Sequence, residues 1–335
     1  MNGSNEKLMI WGEKVPYNTS ESKIKAMGPI GKYRILKFMR AIGKNFIDDI
    51  PSINAVTYKS EIGKGGAKET FDDQPYITPF IAPGSDRAII VVPGGGYAYK
   101  SLSQEGEGIA KSLNEAGISA FVLWYRLNPY KAPVPYVDLQ RAVRYVKYHA
   151  KKYGIDPKKV GVIGFSAGGH CCASMLNILR NSHMDFFGYM EDEIDKVDSS
   201  VALAGLLYPV INLKYNPGIM FALVESEKVR DEKIRNELVN VLNPSNYVQE
   251  NDPPQFICYG DKDGLVDPKG VLEYKAELDR KGVQNKLLVL KGANHGYGDC
   301  GGNFLLKLMN GKYSYWIKEF TNWANGIFVG VVEKK

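Results

Sequence analysis

Short runs of consecutive apolar and β-branched residues recur along the chain and predict strands. Polar or helix-forming segments separate one run from the next. The predicted strands cover residues 52–59, 76–83, 88–92, 120–125, 160–165, 201–209, 256–260 and 287–290. From the third run onward the apolar residues are continuous rather than alternating. This pattern is typical of strands that are covered on both faces, as in a parallel sheet.

The segments between these runs carry apolar residues at the helical period. Their apolar stripes are Leu139, Ala142, Val143, Val146 and Ala150, then Val271, Tyr274 and Leu278, and finally Trp316, Phe320, Trp323 and Phe328. Gly282 follows the second stripe as an expected helix C-cap. Because strands and helices alternate, the sequence predicts an α/β fold with a mostly parallel, doubly wound sheet of eight strands flanked by helices.

Two segments fall outside the alternation and suggest how the chain is divided. Residues 1–50 are predicted to form an N-terminal arm with a basic amphipathic helix, and residues 51–335 the main domain. The apolar face of that helix suits a membrane surface or the protein's own domain, and we favour the domain. Residues 211–250 follow the sixth run and hold a charged helix near 225–241. They are predicted to be an insertion that serves as a lid over the strand ends.

Composition and charge narrow the class of protein. The 335 residues are 44% hydrophobic and 24% charged, with a net charge of +6. The basic residues are spread along the chain, so we expect no nucleic-acid partner, and a homo-oligomer stays open. The four cysteines, Cys171, Cys172, Cys258 and Cys300, are expected to be reduced and buried. Without an apolar signal region or a run of 18 apolar residues, we expect a cytoplasmic protein with no stable membrane association.

A serine lies where the fifth predicted strand meets the following helix, in VGVIGFSAGGHCCASML at 160–176. The pattern G-x-S-x-G around Ser166 is that of a nucleophile elbow. Gly164 and Gly168 allow a tight turn and a close approach of the backbone, and the serine is held clear of the sheet in a strained conformation. The short pattern arises often by chance, and its position at a strand end is what favours an elbow.

A serine hydroxyl becomes a good nucleophile only when a base removes its proton. Of the four histidines, His149 and His170 lie on predicted helices where packing explains them, and His183 lies in a polar connection. His295 follows the last strand, and in elbow-containing folds the base is placed there, in the chain order Ser, Asp, His. We therefore favour His295 as the base.

An acidic residue between the serine and the histidine should orient the imidazole. The run FICYGDKDGLVDP offers Asp261, Asp263 and Asp267 at the end of a strand. Asp261 is close enough to the strand to serve the turn, and Asp267 resembles a helix N-cap. Asp263 lies in the middle of the loop and is favoured, with the other two as alternatives.

Backbone N–H groups near the serine could stabilise a developing oxyanion, which is worth about 3 kcal/mol per donor. Ala167 supplies one such group, and the loop after the third strand, VVPGGGYAYKS, supplies Gly94 to Gly96. A glycine-rich turn or a phosphate cradle is the alternative. The chain has neither the P-loop pattern nor the dinucleotide-binding glycine spacing, so the alternative is weaker.

Four motifs together resemble the esterase and lipase branch of the α/β-hydrolases. They are the PGGGYAYKS loop with the helix and strand after it, GIDPKKVGVIGFSAGGH, GDKDGLVDP and GANHGYG. The chain is most similar to the acetyl-xylan-esterase-like carbohydrate esterases, from about Trp11 to the C-terminal helix. It is also related to the hormone-sensitive-lipase-like esterases.

The resemblance implies a site without metal or organic cofactor. It assigns Ser166 as nucleophile, Asp263 as acid, His295 as base, and Gly95, Gly96 and Ala167 as oxyanion donors. Two departures concern specificity. Pro93 stands where the lipase-like esterases begin the glycine loop with His, and residues 104–107 read QEGE where relatives often have HEGE.

The expected substrate is a small-molecule or oligosaccharide ester. Tyr97, Tyr99, Tyr130 and Tyr208 lie near the predicted strand ends, where exposed rings would stack on a sugar or shorten an acyl pocket. A chain with 21 tyrosines also places some there for packing alone. The favoured activity is removal of acetyl and other short acyl groups from xylo-oligosaccharides. The alternatives are a general short-chain carboxylesterase, a peptidase and a non-catalytic binding protein.

Overall fold

The computed structural model describes residues 6–12, 15–17, 60–63, 66–69, 74–98, 100–127, 130–182, 189–301 and 304–333. Its strands are β1 (Leu8–Met9), β2 (Ser60–Gly63), β3 (Gly66–Glu69), β4 (Tyr76–Phe80), β5 (Ala88–Val92), β6 (Ser119–Trp124), β7 (Val160–Phe165), β8 (Ala204–Leu207), β9 (Gln255–Gly260) and β10 (Asn285–Leu290). Eight of them form one sheet in the order β1-β4-β6-β5-β7-β8-β9-β10, and β2 pairs with β3 in a separate antiparallel hairpin.

The main sheet is mostly parallel, as predicted. The six strands from β6 to β10 in the sheet order pair in parallel, whereas β4 is antiparallel to β6 and β1 is antiparallel to β4. The predicted strands 88–92 and 160–165 coincide with β5 and β7. The observed strand β8 is shorter than the predicted strand 201–209, because only Ala204–Leu207 is paired.

The eighth strand of the sheet comes from a segment that the sequence analysis did not predict. The predicted strand 52–59 and the amphipathic helix of the N-terminal arm lie outside the described residues. Leu8 and Met9, which the sequence assigns to the arm, instead pair with Ile77 and Tyr76 at the sheet edge. Just after them, the indole Nε1 of Trp11 donates to Asp138 Oδ1 over 2.9 Å. This part of the chain is therefore integrated into the main domain.

Helices cover both faces of the sheet. The α-helices are Gly108–Glu115, Val134–Tyr148, Ala150–Tyr153, Ala167–Ser174, Met220–Leu223, Ser226–Arg230, Glu232–Leu242, Lys269–Arg280, Phe304–Asn310 and Tyr315–Glu333, with π-helical turns at Ser103–Glu107 and Met175–Leu179 and 3-10 turns at Pro217–Ile219, Pro244–Tyr247 and Gly311–Tyr313. Gly282 has φ +69° just beyond one helix end, as a C-cap requires. No helix among the described residues has the length and apolar character needed to cross a bilayer.

The continuous apolar runs of the central strands are explained by burial on two sides. In β5, Ile90 and Val92 pack into the core on one face, and Ile89 and Val91 pack into the core on the other. Because successive residues of a strand point to opposite faces, both sets must be apolar. The sheet therefore acts as a rigid platform for the loops at its carboxyl edge.

The predicted insertion at 211–250 is helical. Its charged stretch forms two helices rather than one, because Asp231 ends the first and its side chain caps the second by accepting from Ile234 N over 3.0 Å. The carbonyl oxygen of Leu223 accepts from Ala132 N over 2.9 Å, so the insertion packs on the loop that follows β6. The role of residues 211–250 as a lid remains a prediction.

Candidate active site

The nucleophile elbow predicted around Ser166 is present. Ser166 lies between the end of β7 and the helix Ala167–Ser174, with φ 52° and ψ −117°, a conformation that few non-glycine residues adopt. A Cβ atom on Gly164 would lie 2.3 Å from the carbonyl oxygen of Gly168, and one on Gly168 would lie 2.1 Å from that of Val92. The turn can therefore close only when both flanking residues are glycine.

Three side chains from three different loops meet at this elbow. The Nε2 atom of His295 lies 2.9 Å from Ser166 Oγ, and its Nδ1 atom lies 2.7 Å from Asp263 Oδ2. Both distances are within hydrogen-bonding range. Ser166 is largely buried, with 6% of its surface exposed. The structure thus brings together the three residues that the sequence predicted as nucleophile, base and acid.

The structure also distinguishes among the three candidate aspartates. Asp263 accepts from the backbone N–H groups of Leu265 and Val266 through Oδ1, which leaves Oδ2 for His295. Asp261 instead accepts from Gly292 N, at a turn. Asp267 accepts from the N–H of Lys269, at a helix start. Only Asp263 of the three contacts the imidazole.

Asn294 is a member of the site that sequence reasoning missed. Its Oδ1 atom accepts from Gly264 N over 3.0 Å and from His295 N over 2.7 Å. These bonds connect the loop that carries the base to the loop that carries the acid. The amide directly before the predicted base, in GANHG, was the available signal.

The glycine loop after β5 lies beside the elbow. Gly95 and Gly96 have φ 132° and 62°, which favour glycine. Two backbone bonds close the loop, from Ala98 N to Gly95 O and from Ser101 N to Gly94 O. A Cβ atom on Gly94 would lie 2.5 Å from Phe165 O and 2.9 Å from Ser166 Cβ. The loop therefore contacts Ser166 through bare backbone.

Glu105 is a second component that the sequence analysis did not assign to the site. It belongs to the stretch QEGE, noted there only as a departure from relatives. Its carboxylate is buried, with Oε2 accepting from Gly94 N over 2.8 Å and Oε1 accepting from the Tyr208 hydroxyl over 2.7 Å. Burial raises the pKa of Glu105, and these two donors oppose that increase.

The other described histidines do not reach the serine hydroxyl. His170 is fully buried one turn beyond Ser166, where its Nδ1 lies 2.8 Å from the Tyr97 hydroxyl. Burial lowers the pKa of His170 to about 4, so the ring is neutral near pH 7. His149 is half-buried on its helix, with its ring against Tyr145. The fourth, His183, lies outside the described residues.

The tyrosines expected to expose their rings are buried. Tyr97 and Tyr208 are 0% and 1% exposed, and their hydroxyls are bonded to His170 and Glu105. Tyr130 is 6% exposed, with the Arg126 guanidinium 5.2 Å from its ring centre. The expectation of exposed rings is wrong for these three, since a tyrosine whose hydroxyl finds a partner is readily buried. Tyr99 lies outside the described residues.

Cysteine thiols and clusters of metal-binding side chains are the other groups that could carry chemistry. All four cysteines are free and buried, and burial raises the pKa of each thiol. Such thiols are poor nucleophiles. Among the residues described, no group of three or more His, Cys, Asp and Glu side chains is placed to hold a metal ion. The reactive group that stands out is the Ser166 hydroxyl with its imidazole.

Comparison with known proteins shows that the chain is similar to esterases. The family model described as BD-FAE matches residues 78–278. The chain is 29% identical over 219 residues to an acetylxylan esterase of Xylanibacter ruminicola, which covers 64% of this chain and 42% of that protein. It is 25% identical over 227 residues to esterase LipQ of Mycobacterium tuberculosis, covering 66% of this chain and 52% of that one. The chain thus spans about half or less of these curated relatives.

A solved structure extends the similarity to the fold. An acetyl ester-xyloside bifunctional hydrolase from Caldicellulosiruptor lactoaceticus is 33% identical with a TM-score of 0.60, over 74% of this chain and 88% of that one. The BD-FAE match covers more than half of the chain and includes β5, the elbow and Asp263. The chain therefore belongs to the BD-FAE family, in the esterase branch of the α/β-hydrolases that its motifs resemble.

Proposed function

We propose that this chain is a serine esterase that removes short acyl groups, chiefly acetyl, from acylated carbohydrates such as xylo-oligosaccharides. The observation that carries the proposal is the connected series Ser166 Oγ, His295 Nε2, His295 Nδ1 and Asp263 Oδ2, with contacts of 2.9 and 2.7 Å. This is the arrangement that activates a serine for acyl transfer.

In the proposed mechanism, Ser166 Oγ attacks the ester carbonyl carbon while His295 Nε2 takes the hydroxyl proton. Asp263 holds Nδ1–H and balances the positive charge on the imidazole. The tetrahedral intermediate then breaks its bond to the leaving alcohol, which receives the proton from His295. A water molecule, deprotonated by His295, then attacks the carbonyl carbon of the acyl-enzyme. The bond to Ser166 Oγ breaks, His295 returns the proton to Oγ, and the carboxylic acid leaves.

The oxyanion is assigned to the backbone N–H groups of Gly95, Gly96 and Ala167. Ala167 is the first residue of the helix after the elbow, so its N–H lies among the unpaired donors at a helix start. The closed glycine loop lies against the elbow from the other side. Donors fixed before the reaction stabilise the developing charge without reorganisation, by about 3 kcal/mol each.

The substrate class rests on the named relatives. An acetylxylan esterase and an acetyl ester-xyloside hydrolase are among the proteins that this chain resembles. A general short-chain carboxylesterase is the second candidate, favoured by the similarity to a protein named simply as an esterase. Both candidates use the same acyl-transfer site and differ in the alcohol that they accept.

Kinetic constants on carbohydrate esters and on simple aryl esters distinguish the two candidate functions. We would measure acetate release from acetylated xylo-oligosaccharides beside a series of p-nitrophenyl esters of increasing acyl length, with Ser166→Ala as the blank. The carbohydrate esterase predicts a higher kcat/KM on the oligosaccharide than on p-nitrophenyl acetate, and a steep decline beyond short acyl chains. Turnover of the aryl esters alone favours the general carboxylesterase, and no turnover of any ester contradicts both.

A further inference from the structure

We propose that Glu105 is a positioning residue that joins the oxyanion loop (residues 93–98) to the histidine loop (residues 291–301). The inference rests on the proposed acyl-transfer function, and it assigns to Glu105 a role in both halves of the site.

The first contact of Glu105 fixes the oxyanion loop. Its Oε2 atom accepts from Gly94 N over 2.8 Å, directly before the two glycines proposed as oxyanion donors. A Cβ atom on Gly94 would lie 3.0 Å from this oxygen and 2.5 Å from Phe165 O. Gly94 is therefore held between the carboxylate and the elbow, and the direction of the following N–H groups depends on Glu105.

The second contact of Glu105 reaches the histidine loop through Tyr208. The Tyr208 hydroxyl donates to Glu105 Oε1 over 2.7 Å and accepts from Gly298 N over 3.1 Å. The ring of Tyr208 also lies edge-on to His295, with ring centres 4.8 Å apart. Its φ of 36° is rare for a residue with a side chain. Such strain persists only where the surrounding contacts enforce it.

Neighbouring contacts keep the segment of Glu105 against the histidine loop. The backbone oxygen of Gln104 accepts from Asp299 N over 3.0 Å, and its side-chain Nε2 donates to Gly301 O over 3.1 Å. A Cβ atom on Gly108 would lie 2.0 Å from Asp299 Oδ2. The turn Ser103–Glu107 and the histidine loop therefore form one packed unit.

The hydrogen bonds to Glu105 fit the ionised carboxylate. Gly94 N–H can only donate, and Tyr208 uses its own proton toward Glu105 while accepting from Gly298. Among the described groups, the charges that act on Glu105 are His295, whose positive form favours the carboxylate, and Asp299, which opposes it.

The test compares kcat and KM of Glu105→Gln and Tyr208→Phe on p-nitrophenyl acetate at pH 7, with Glu107→Gln as the matched control. Glu107 lies on the same turn but is exposed. Glu105→Gln removes the charge and one acceptor, so we expect kcat to fall roughly 10- to 100-fold with little change in KM. Tyr208→Phe removes the contact with the histidine loop but leaves the Gly94 bond in place, so kcat should fall less than in Glu105→Gln.

The backbone amide signals of Gly94 and Gly298, followed by NMR, give a second readout that needs no turnover. It therefore separates failure of this inference from failure of the proposed function. Both signals should shift in Glu105→Gln, because the carboxylate that accepts from Gly94 N and from the Tyr208 hydroxyl is lost, and they should stay in place in Glu107→Gln. Unshifted signals in Glu105→Gln would overturn the proposed connection between the two loops. A kcat equal to that of Glu107→Gln would overturn the positioning role.

Discussion

The Nδ1 atom of His170 lies 2.8 Å from the hydroxyl oxygen of Tyr97, so the helix after the nucleophile is bonded to the oxyanion loop. The other ring nitrogen, Nε2, lies 3.3 Å from the carbonyl oxygen of Leu242. A carbonyl can only accept, so Nε2 carries the proton and Nδ1 accepts from the tyrosine. His170 thus contacts the oxyanion loop and the helical insertion at once, in its neutral form.

The neutral state of His170 predicts that stability depends on pH. Burial lowers the pKa of His170 from 6.5 to about 4, so the unfolded chain binds this proton more readily than the folded one. The free energy of unfolding therefore has no penalty from His170 above pH 6.5. It decreases by about 3 kcal/mol as the pH falls toward and below 4, because the unfolded chain takes up the proton first. Urea unfolding of wild type and His170→Gln between pH 4 and 7 measures this.

The informative quantity is how steeply the free energy of unfolding changes with pH in the wild type and in His170→Gln. His170→Gln should unfold more easily at pH 7 but lose less stability on acidification than the wild type. His149→Gln provides the comparison, because His149 is only half-buried. Parallel pH dependences for wild type and His170→Gln would contradict a buried neutral imidazole.

Removal of the nucleophile should abolish ester hydrolysis. Ser166→Ala eliminates the atom that forms the acyl-enzyme, and we expect kcat to fall on the order of 10⁶-fold. Ser112→Ala is the matched control, since the Ser112 hydroxyl donates to Gly108 O within its own helix, away from the elbow. Release of p-nitrophenol by the two variants is the measurement. Equal rates in both would remove Ser166 from the mechanism.

The acid of the triad should matter through the imidazole that it orients. In Asp263→Asn the amide no longer balances the imidazolium and favours the wrong ring tautomer, so kcat should fall about 10⁴-fold. Asp261→Asn alters a neighbouring carboxylate that accepts from Gly292 N and not from His295. Steady-state kinetics on p-nitrophenyl acetate compare them, and a larger loss in Asp261→Asn would contradict the assignment of Asp263.

The sequence revealed the centre of the fold more completely than its edges. Continuous apolar runs give a strong signal for strands such as β5 and β7, because both faces of each are buried. The two-residue strand Leu8–Met9 is too short to show a period, and its assignment depends on Ile77, far along the chain. Such pairing becomes visible only in three dimensions.

A similar division applies to the candidate site. Ser166, Asp263 and His295 lie in short local patterns at strand ends, and those patterns sufficed to select them. Glu105 lies in QEGE and Tyr208 lies at a strand end, but the sequence does not predict their hydrogen bond, because it joins residues 103 positions apart. An aromatic ring with one hydroxyl suits either a surface or a buried network, so composition could not decide where Tyr208 would lie.

Stability should depend strongly on the buried ion pair between Arg126 and Asp138. Both side chains are fully buried, with the guanidinium Nη2 2.7 Å from Oδ1, and Asp138 also accepts from Trp11. Asp138→Asn would leave the Arg126 charge uncompensated, so we expect a loss of about 3–5 kcal/mol in the free energy of unfolding. Chemical denaturation at pH 7 provides the measurement.

A second ion pair serves as the control for this prediction. Asp198 is exposed and bonds to Lys147 over 2.9 Å. Because water screens such a pair, Asp198→Asn should cost about 1 kcal/mol or less. An equal decrease in the free energy of unfolding in the two asparagine variants would contradict the prediction that the buried pair contributes more to stability than the exposed pair.

The pairing of Leu8 with Ile77 and of Trp11 with Asp138 has a consequence for biosynthesis. Residues 8 to 11 are translated before either partner exists, and Trp11 must wait for 127 further residues before its acceptor is made. During that interval an apolar segment lacks its native cover, a state that exposes nascent chains to misassembly. Closure of the sheet at this edge therefore has to wait until Ile77 has been synthesised, and the Trp11 contact has to wait until Asp138 has been synthesised.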